Sequence, residues 1–149
     1  MKQAASGSES KQYWLDRLAD RPTVGLPLDR PRSPVQSFGR GTVSMALQAG
    51  PKDATPFVSV CSALATVLSR YGGQADVTLG AVALAGDTAN VVPLRIDVDP
   101  RSSVEALASH VAVVLGEAAR HCEYPFDVLL GDLEDGESGA SDPPRLFEA

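Results

Sequence analysis

Apolar residues recur at helical spacing in four segments of the chain. The clearest of these follows Thr55 and Pro56, which suit the N-cap and first position of a helix, and it ends at Gly72 and Gly73. We expect this helix to pack on a sheet. Its spacing of i, i+3, i+4 and i+7 predicts an inward face made of Phe57, Val60, Cys61, Leu64, Val67, Leu68 and Tyr71.

Three further helices follow from the same periodicity. A short one runs from Ser8 to about Ala19, a second spans 103–120 after a capping-box pair of Ser102 and Glu105, and a third covers roughly 126–133. Their predicted inward residues are Trp14, Leu15 and Leu18 in the first, Val104, Leu107, Val111, Val114, Leu115 and Ala118 in the second, and Phe126, Leu129, Leu130 and Leu133 in the third.

Strand patterns occupy the segments between the helices. Residues 42–47 alternate, with Val43, Met45 and Leu47 on one face, and 76–84 is apolar almost throughout, as in a buried central strand. Residues 91–98 alternate as well, with one face formed by Val92, Leu94, Ile96 and Val98. Pro93 lacks a ladder donor, so this strand is predicted to be an edge or to carry a bulge. With 145–147 as a last short strand, the order α-β-α-β-β-α-α-β predicts a mixed α/β layered domain.

Composition supports one globular domain of 149 residues, with 44% hydrophobic and 21% charged residues. Thirteen basic against nineteen acidic residues give a net charge of −6, which argues against nucleic acid or an anionic membrane as a partner. No apolar run reaches the ~18–20 residues of a membrane span, and the N-terminus lacks a signal-like apolar core. We therefore expect a cytoplasmic protein.

Two segments are predicted to lie outside the packed domain. Residues 1–10 are small and polar, which predicts a disordered tail ahead of a domain over 11–149. The stretch from about 132 to 144 gathers five carboxylates among Gly, Ser and Pro, which predicts a mobile acidic loop. An acidic docking surface is the alternative interpretation of that stretch.

The stretch HCEYPFD at 121–127 is the only one that gathers residues suited to catalysis. A nucleophilic site needs Cys or Ser beside a histidine, but the neighbours His121 and Cys122 point about 100° apart at a helix end. His110 has no third ligand nearby, so no metal site is predicted, and Cys61 is expected to be a buried thiol. No nucleotide or cofactor motif occurs in the sequence. We therefore favour a structural interpretation, in which a helix ends here and Pro125 turns the chain.

The order of motifs resembles the condensation domains of nonribosomal peptide synthetases from about residue 11 to 147. NVVPLR resembles the family's FVNTLPLR motif, HCEYPFD its HQDYPFE motif, and SDPPRLF its RDxSRxPLF motif. The segments that carry the resemblance are YWLDRLADRP (13–22), LPLDRPRSPVQSFGRGTVSMAL (26–47), FVSVCSALATVLSRYGGQADVTLGAVAL (57–84), NVVPLRIDV (90–98), HCEYPFDVLL (121–130) and SDPPRLF (141–147).

The resemblance implies a pared-down C-terminal lobe of the chloramphenicol-acetyltransferase type of fold. The family's catalytic motif, HHxxxDG, is absent from the chain. The resemblance therefore implies no catalytic residue, cofactor or metal, and it gives a structural role to the residues that match the family's motifs. These are Asn90, Pro93, Arg95, His121, Tyr124, Pro125, Phe126, Leu146 and Phe147.

Three functional hypotheses follow from the resemblance. In the first, the chain is a catalytically inactive platform on which an adenylation, carrier or tailoring domain docks, since degenerate condensation-type domains are known to recruit oxygenases or to buttress adenylation domains. In the second, it is half of a split condensation enzyme whose HHxxxDG lobe comes from another chain. In the third, an uncovered face or the edge strand with Pro93 makes the chain a homo-oligomer.

Overall fold

The computed structural model describes residues 2–22, 41–46 and 50–136 of the chain. Within them, four helices accompany one two-stranded sheet, which confirms the predicted mixed α/β class. None of the described helices is long and apolar enough to cross a membrane. In chain order the elements are α1 (Lys2–Leu18), α2 (Pro56–Gly72), β1 (Asp76–Ala85), β2 (Thr88–Asp97), α3 (Val104–Arg120) and α4 (Phe126–Gly136).

β1 and β2 form an antiparallel hairpin whose two-residue turn is Gly86 and Asp87. Gly86 adopts a φ of +62°, a left-handed conformation that two-residue hairpin turns favour and that glycine tolerates best. The predicted phase of the second strand is confirmed, because Val92, Leu94, Ile96 and Val98 are all buried. β1 is not a central strand in the described sheet. Its first half is buried, but Val82 and Leu84 near the turn are each 72% exposed.

The ends of α2 lie where the sequence predicts them. The Thr55 hydroxyl accepts a hydrogen bond from the Val58 amide, Pro56 takes the first helical position, and Gly73 closes the helix with a left-handed φ of 67°. The predicted inward face of α2 is largely wrong, however. Cys61 is buried as predicted, together with Val58, Ser62 and Ala65, and the exposed residues include Phe57, Val60, Leu64, Val67 and Tyr71.

The reason is that α2 is apolar around most of its circumference, so that two different faces satisfy the same periodicity. The face with small residues packs inward, since Ser62 and Ala65 let the helix approach its neighbours closely. Burial of Ser62 costs little, because its hydroxyl donates a 2.8 Å hydrogen bond to the Val58 carbonyl.

α3 and α4 follow the prediction more closely. Val111, Val114 and Ala118 of α3 are buried, and Leu129 and Leu133 of α4 are buried beside the half-buried Phe126. Two details of α3 differ. Its N-cap is Ser103, whose hydroxyl accepts from the Ala106 amide, so the predicted capping box at Ser102 is one residue early. Val104, the first residue of α3, is exposed, although it was predicted to face inward.

Three segments differ from their predicted structure, and others lie beyond the described residues. Residues 41–46 have no regular structure and are exposed, with Val43 96% exposed, so the predicted first strand is not formed there. Its alternation has no neighbouring strand to pair with in the described sheet. α1 begins at Lys2, within the predicted disordered tail, in a stretch that contains no proline. α4 runs to Gly136, into the predicted acidic loop. Leu47, residues 137–144 and the predicted strand at 145–147 lie outside the described residues.

The core is one cluster to which all six elements contribute. Trp14 and Leu18 of α1, Leu94 and Ile96 of β2 and Leu129 of α4 are among its largest fully buried side chains. Both residues of α1 were predicted to face inward, and this is confirmed.

Leu94→Ala is expected to lower the free energy of unfolding by about 2–5 kcal/mol, because it leaves a cavity in the centre of this core. Leu84→Ala is the matched control: it removes the same atoms from the exposed end of the hairpin and should cost less than about 0.5 kcal/mol. Urea unfolding followed by circular dichroism measures both. Equal losses would mean that Leu94 does not occupy the core.

Candidate functional site

The turn between α3 and α4, residues 121–126, is held by the side chain of Asn90 on β2. The Asn90 amide nitrogen donates to the Cys122 carbonyl at 2.8 Å and to the Tyr124 carbonyl at 2.7 Å. Its amide oxygen accepts from the Phe126 amide at 3.1 Å. One side chain thus satisfies two carbonyls of the turn and one of the unpaired N–H groups that begin α4.

His121 joins the same turn to α1. Its ring stacks on Tyr13, with ring centroids 4.0 Å apart and planes at 16°, and its Nδ1 lies 3.0 Å from the Ser10 hydroxyl. The His121 carbonyl accepts a 3.1 Å hydrogen bond from the indole nitrogen of Trp14. His121 is the C-cap of α3, as predicted for a helix end, and Pro125 follows the turn, where its carbonyl accepts from the Leu129 amide of α4.

Tyr124 and Asp132 form a second link between the turn, α4 and α1. The Tyr124 hydroxyl donates to the Asp132 carboxylate, and the Lys11 ammonium lies 2.6 Å from the other carboxylate oxygen. Burial, followed by the bond to Asp132, raises the pKa of Tyr124 to about 12. The pKa of Asp132 is lowered, first by the hydrogen bond from Lys11 and then by the one from Tyr124.

Arg95 fixes the C-terminal end of α1 to the hairpin. Its guanidinium makes a bidentate pair with Asp76 of β1, at 3.0 and 2.6 Å, and also donates to the carbonyls of Arg17 and Ala19 where α1 ends. Arg17 returns a 2.8 Å hydrogen bond to the Arg95 carbonyl. The bond to Asp76 raises the pKa of Arg95 against the opposing effect of burial.

Pro93, the remaining predicted motif residue on β2, is fully buried opposite Gly80 of β1. Leu146 and Phe147 lie outside the described residues. Apart from Pro93, the described motif residues therefore gather into two groups, one at the α3–α4 turn with Asn90, and one where Arg95 meets the end of α1.

Known proteins resemble this chain both in sequence and in fold. No family model matches the chain. The chain is 34% identical to surfactin synthase subunit 1 of Bacillus subtilis strain 168 over an alignment of 154 positions including gaps, and 32% identical to malpibaldin synthetase of Mortierella alpina over one of 139. These matches cover 89% and 79% of the chain but only 4% and 2% of the relatives.

Among solved structures, the starter condensation domain of rhizomide synthetase superimposes with a TM-score of 0.73 at 26% identity, over 96% of this chain. The X-domain from teicoplanin biosynthesis gives a TM-score of 0.72 at 25% identity, over 83% of the chain. By sequence and by fold, the chain corresponds to a fragment of a nonribosomal peptide synthetase condensation domain. It spans 35% and 32% of these two structures.

The contacts that the described site residues make are hydrogen bonds and ring packing. His110 lies on α3 about 16 Å along the helix axis from His121 at 1.5 Å per residue, so the two do not form a pair. The Cys122 thiol lies 3.7 Å from the Leu84 carbonyl, on the hairpin. Within the described residues, no group of three or more His, Cys, Asp or Glu side chains is placed to hold a metal ion.

A groove lies beside the turn, between the first half of α1, the tip of the hairpin and the start of α4. Its volume is about 720 Å3, and its lining includes Ser10, Asn90 and Tyr124. Two exposed carboxylates, Glu123 and Asp127, stand on its wall. The groove thus carries two exposed carboxylates beside a lining that is otherwise neutral.

Several residues of the site were missed by sequence reasoning. Ser10, Lys11, Tyr13, Asp76 and Asp132 act through partners that are distant in the sequence, and no local pattern marks them. Trp14 did carry a signal, because a buried indole needs an acceptor for its N–H. The sequence does not identify that acceptor as the carbonyl of His121.

Asn90→Ala is expected to lower the free energy of unfolding by about 1–3 kcal/mol, because it leaves two carbonyls and one amide of the turn without their partner. Thr88→Ala, at an exposed position of the same strand, is the control and should cost less than about 0.5 kcal/mol. Chemical denaturation measures both values. A neutral Asn90→Ala variant would show that the turn holds itself together.

The Tyr124–Asp132 bond predicts a loss of stability at alkaline pH. The pKa of Tyr124 is higher in the folded state than in the unfolded state. The stability that the protonated Tyr124 contributes is therefore complete below the unfolded-state pKa of about 10, and it is lost as pH rises towards the folded-state pKa. Tyr124→Phe should therefore be less stable than the wild type at pH 8 and should show a smaller decline between about pH 10 and 12.

The comparison isolates Tyr124, because Tyr13, whose pKa burial also raises, is present in both proteins. Asp132→Asn provides a second control, since it removes the charge that a Tyr124 phenolate would face. Free energies of unfolding across this pH range measure the effect. Parallel pH profiles for wild type and Tyr124→Phe would contradict the prediction.

Proposed function

We propose that the chain is a catalytically inactive condensation-like unit that serves as a structural or docking platform in nonribosomal peptide biosynthesis. This proposal rests on one observation: the polar family-motif residues bond to other parts of the same fold. Asn90, Arg95, His121 and Tyr124 each make hydrogen bonds that join elements of the fold to one another. Their polar groups are engaged in architecture.

Peptide-bond formation between carrier-bound substrates calls for a general base at the attacking amine and for stabilisation of the developing oxyanion. The 149 residues contain no HHxxxDG motif. His121 is a poor substitute as a base, because its Nδ1 faces Ser10 and one face of its ring is covered by Tyr13. The chain by itself therefore has no evident route to this chemistry.

The acidic groove beside the turn supports a docking role. Two of its lining residues, Asn90 and Tyr124, are held in place by hydrogen bonds. Glu123 and Asp127 make it attractive to a basic surface, in keeping with the net charge of −6. We propose that an adenylation, carrier or tailoring domain of a peptide synthetase presents that surface.

Half of a split condensation enzyme is the second candidate. It is favoured by the extent of the match, since the chain covers 35% of the rhizomide condensation domain. Val82 and Leu84 also leave apolar surface exposed near the hairpin turn. In this case a partner chain would supply the HHxxxDG lobe and this chain would complete the substrate channel.

Reconstitution with loaded donor and acceptor carrier proteins tests the proposal. We expect no condensation product from this chain, while an intact condensation domain in the same assay gives product. Turnover by the chain alone would overturn the proposed inactivity. Product that appears only after a chain bearing HHxxxDG is added would establish the split-enzyme alternative.

The same preparation tests docking. A Glu123→Lys and Asp127→Lys double variant should weaken binding to the cognate synthetase domain by about 10-fold or more, because it reverses both charges on the groove. Glu134→Lys, an exposed charge reversal elsewhere on α4, is the matched control and should bind as the wild type does. Isothermal titration calorimetry measures the affinities. Equal binding by all three proteins would place docking elsewhere.

A further inference from the structure

The exposed side of α2 is almost entirely apolar. Eight of its residues are exposed, and Arg70 is the only charged one among Pro56, Phe57, Val60, Ala63, Leu64, Val67, Arg70 and Tyr71. Five of them form a continuous line along the helix, which we call the α2 stripe: Phe57, Val60, Leu64, Val67 and Tyr71, with exposed fractions of 43–69%. A soluble surface helix ordinarily presents charged residues at such positions.

The spacing within the α2 stripe indicates what covers it. Its steps are three, four, three and four residues, which is the spacing of the a and d positions in a coiled coil. A strip of this kind is narrow and about 21 Å long at 1.5 Å per residue. Such a seam accepts the side chains of a second helix, and the small side chain of Ala63 beside it allows close approach. The occupant is therefore a helix.

The charges at the two ends of α2 select a second copy of this chain. Asp53 is exposed just before the helix and Arg70 is exposed in its last turn. If two copies paired in parallel, Arg70 would face Arg70. In the antiparallel arrangement Arg70 lies beside Asp53 of the second copy and is attracted to it, although the neighbouring Lys52 weakens that attraction. The dipoles of the two antiparallel helices also attract each other.

The seam also fits this arrangement residue by residue. In an antiparallel pair with alternating a and d layers, Phe57 meets Val67 of the other copy and Val60 meets Leu64. The layers then repeat by symmetry, as an isologous two-fold interface requires. Tyr71 reaches the residues that precede the second helix, which is where Asp53 lies.

A neighbouring groove extends this apolar surface. It has a volume of about 410 Å3 and lies between α2 and the start of α3, lined in part by Val60, Ala63 and Leu107. The exposed Val104 stands at its edge. Apolar side chains of a second helix that extend beyond the α2 stripe can be buried in this groove.

We propose that the α2 stripe is the interface of a two-fold symmetric homodimer in which two α2 helices pack antiparallel. The proposal is independent of the docking function, because the acidic groove is lined by α1, the hairpin tip and the α3–α4 turn. A variant that no longer dimerises can therefore still dock, and a variant that no longer docks can still dimerise.

Sedimentation velocity on the 149-residue protein from about 1 to 200 μM tests for the dimer. The wild type should be dimeric at the upper concentrations. Leu64→Glu should raise the dissociation constant by about 100-fold or more, because it would bury a charge at the centre of the seam. Leu84→Glu, at another exposed leucine on β1, is the matched control and should dimerise as the wild type does.

Circular dichroism melts verify that both glutamate variants are folded, as their exposed positions predict. A wild type that is monomeric at 200 μM overturns the proposal. So does a dimer that survives Leu64→Glu.

A charge exchange tests the antiparallel arrangement. Arg70→Asp and Asp53→Arg should each raise the dissociation constant by about 2–5-fold, because each leaves like charges at both ends of the seam. The double variant restores opposite charges at both ends and should recover the wild-type dissociation constant. Failure of the double variant to recover would overturn the antiparallel pairing.

Discussion

The turn between α3 and α4 is a place where the backbone cannot satisfy itself. α3 has ended, α4 has not begun, and Pro125 has no N–H to donate. Asn90 resolves this with a single amide, which reaches two carbonyls and one N–H from the neighbouring strand. The direction of α4, the position of His121 and the docking of α1 on both all depend on that geometry.

Arg95 provides the complementary constraint at the opposite end of α1. Its guanidinium satisfies carbonyls that α1 leaves unpaired at its last turn, and it is itself held by Asp76. α1, a helix with a low apolar content, is thereby held at its middle and at its C-terminal end through directional bonds, while Trp14 and Leu18 supply buried area.

The parts of the fold that the sequence predicts well are those with one physical solution. Thr55, Pro56 and Gly73 fix the ends of α2, and the alternation in β2 can turn only one face to the core. The face of α2 could not be chosen from its sequence, since both candidate faces are apolar and close packing of Ser62 and Ala65 decided between them. The bonds of Asn90 and His121 join residues far apart in the chain, so no local pattern predicts them.

The bonds that hold α1 to the α3–α4 turn and to α4 join positions 107 to 121 residues apart. Such contacts close late, because the loop between them must be ordered first. On a ribosome that adds about 5–20 residues per second, α1 emerges roughly 5–25 s before its binding surface exists. During that interval Trp14 and Leu18 have no core to enter. A helix that is synthesised ahead of its partners is therefore among the last to find its place.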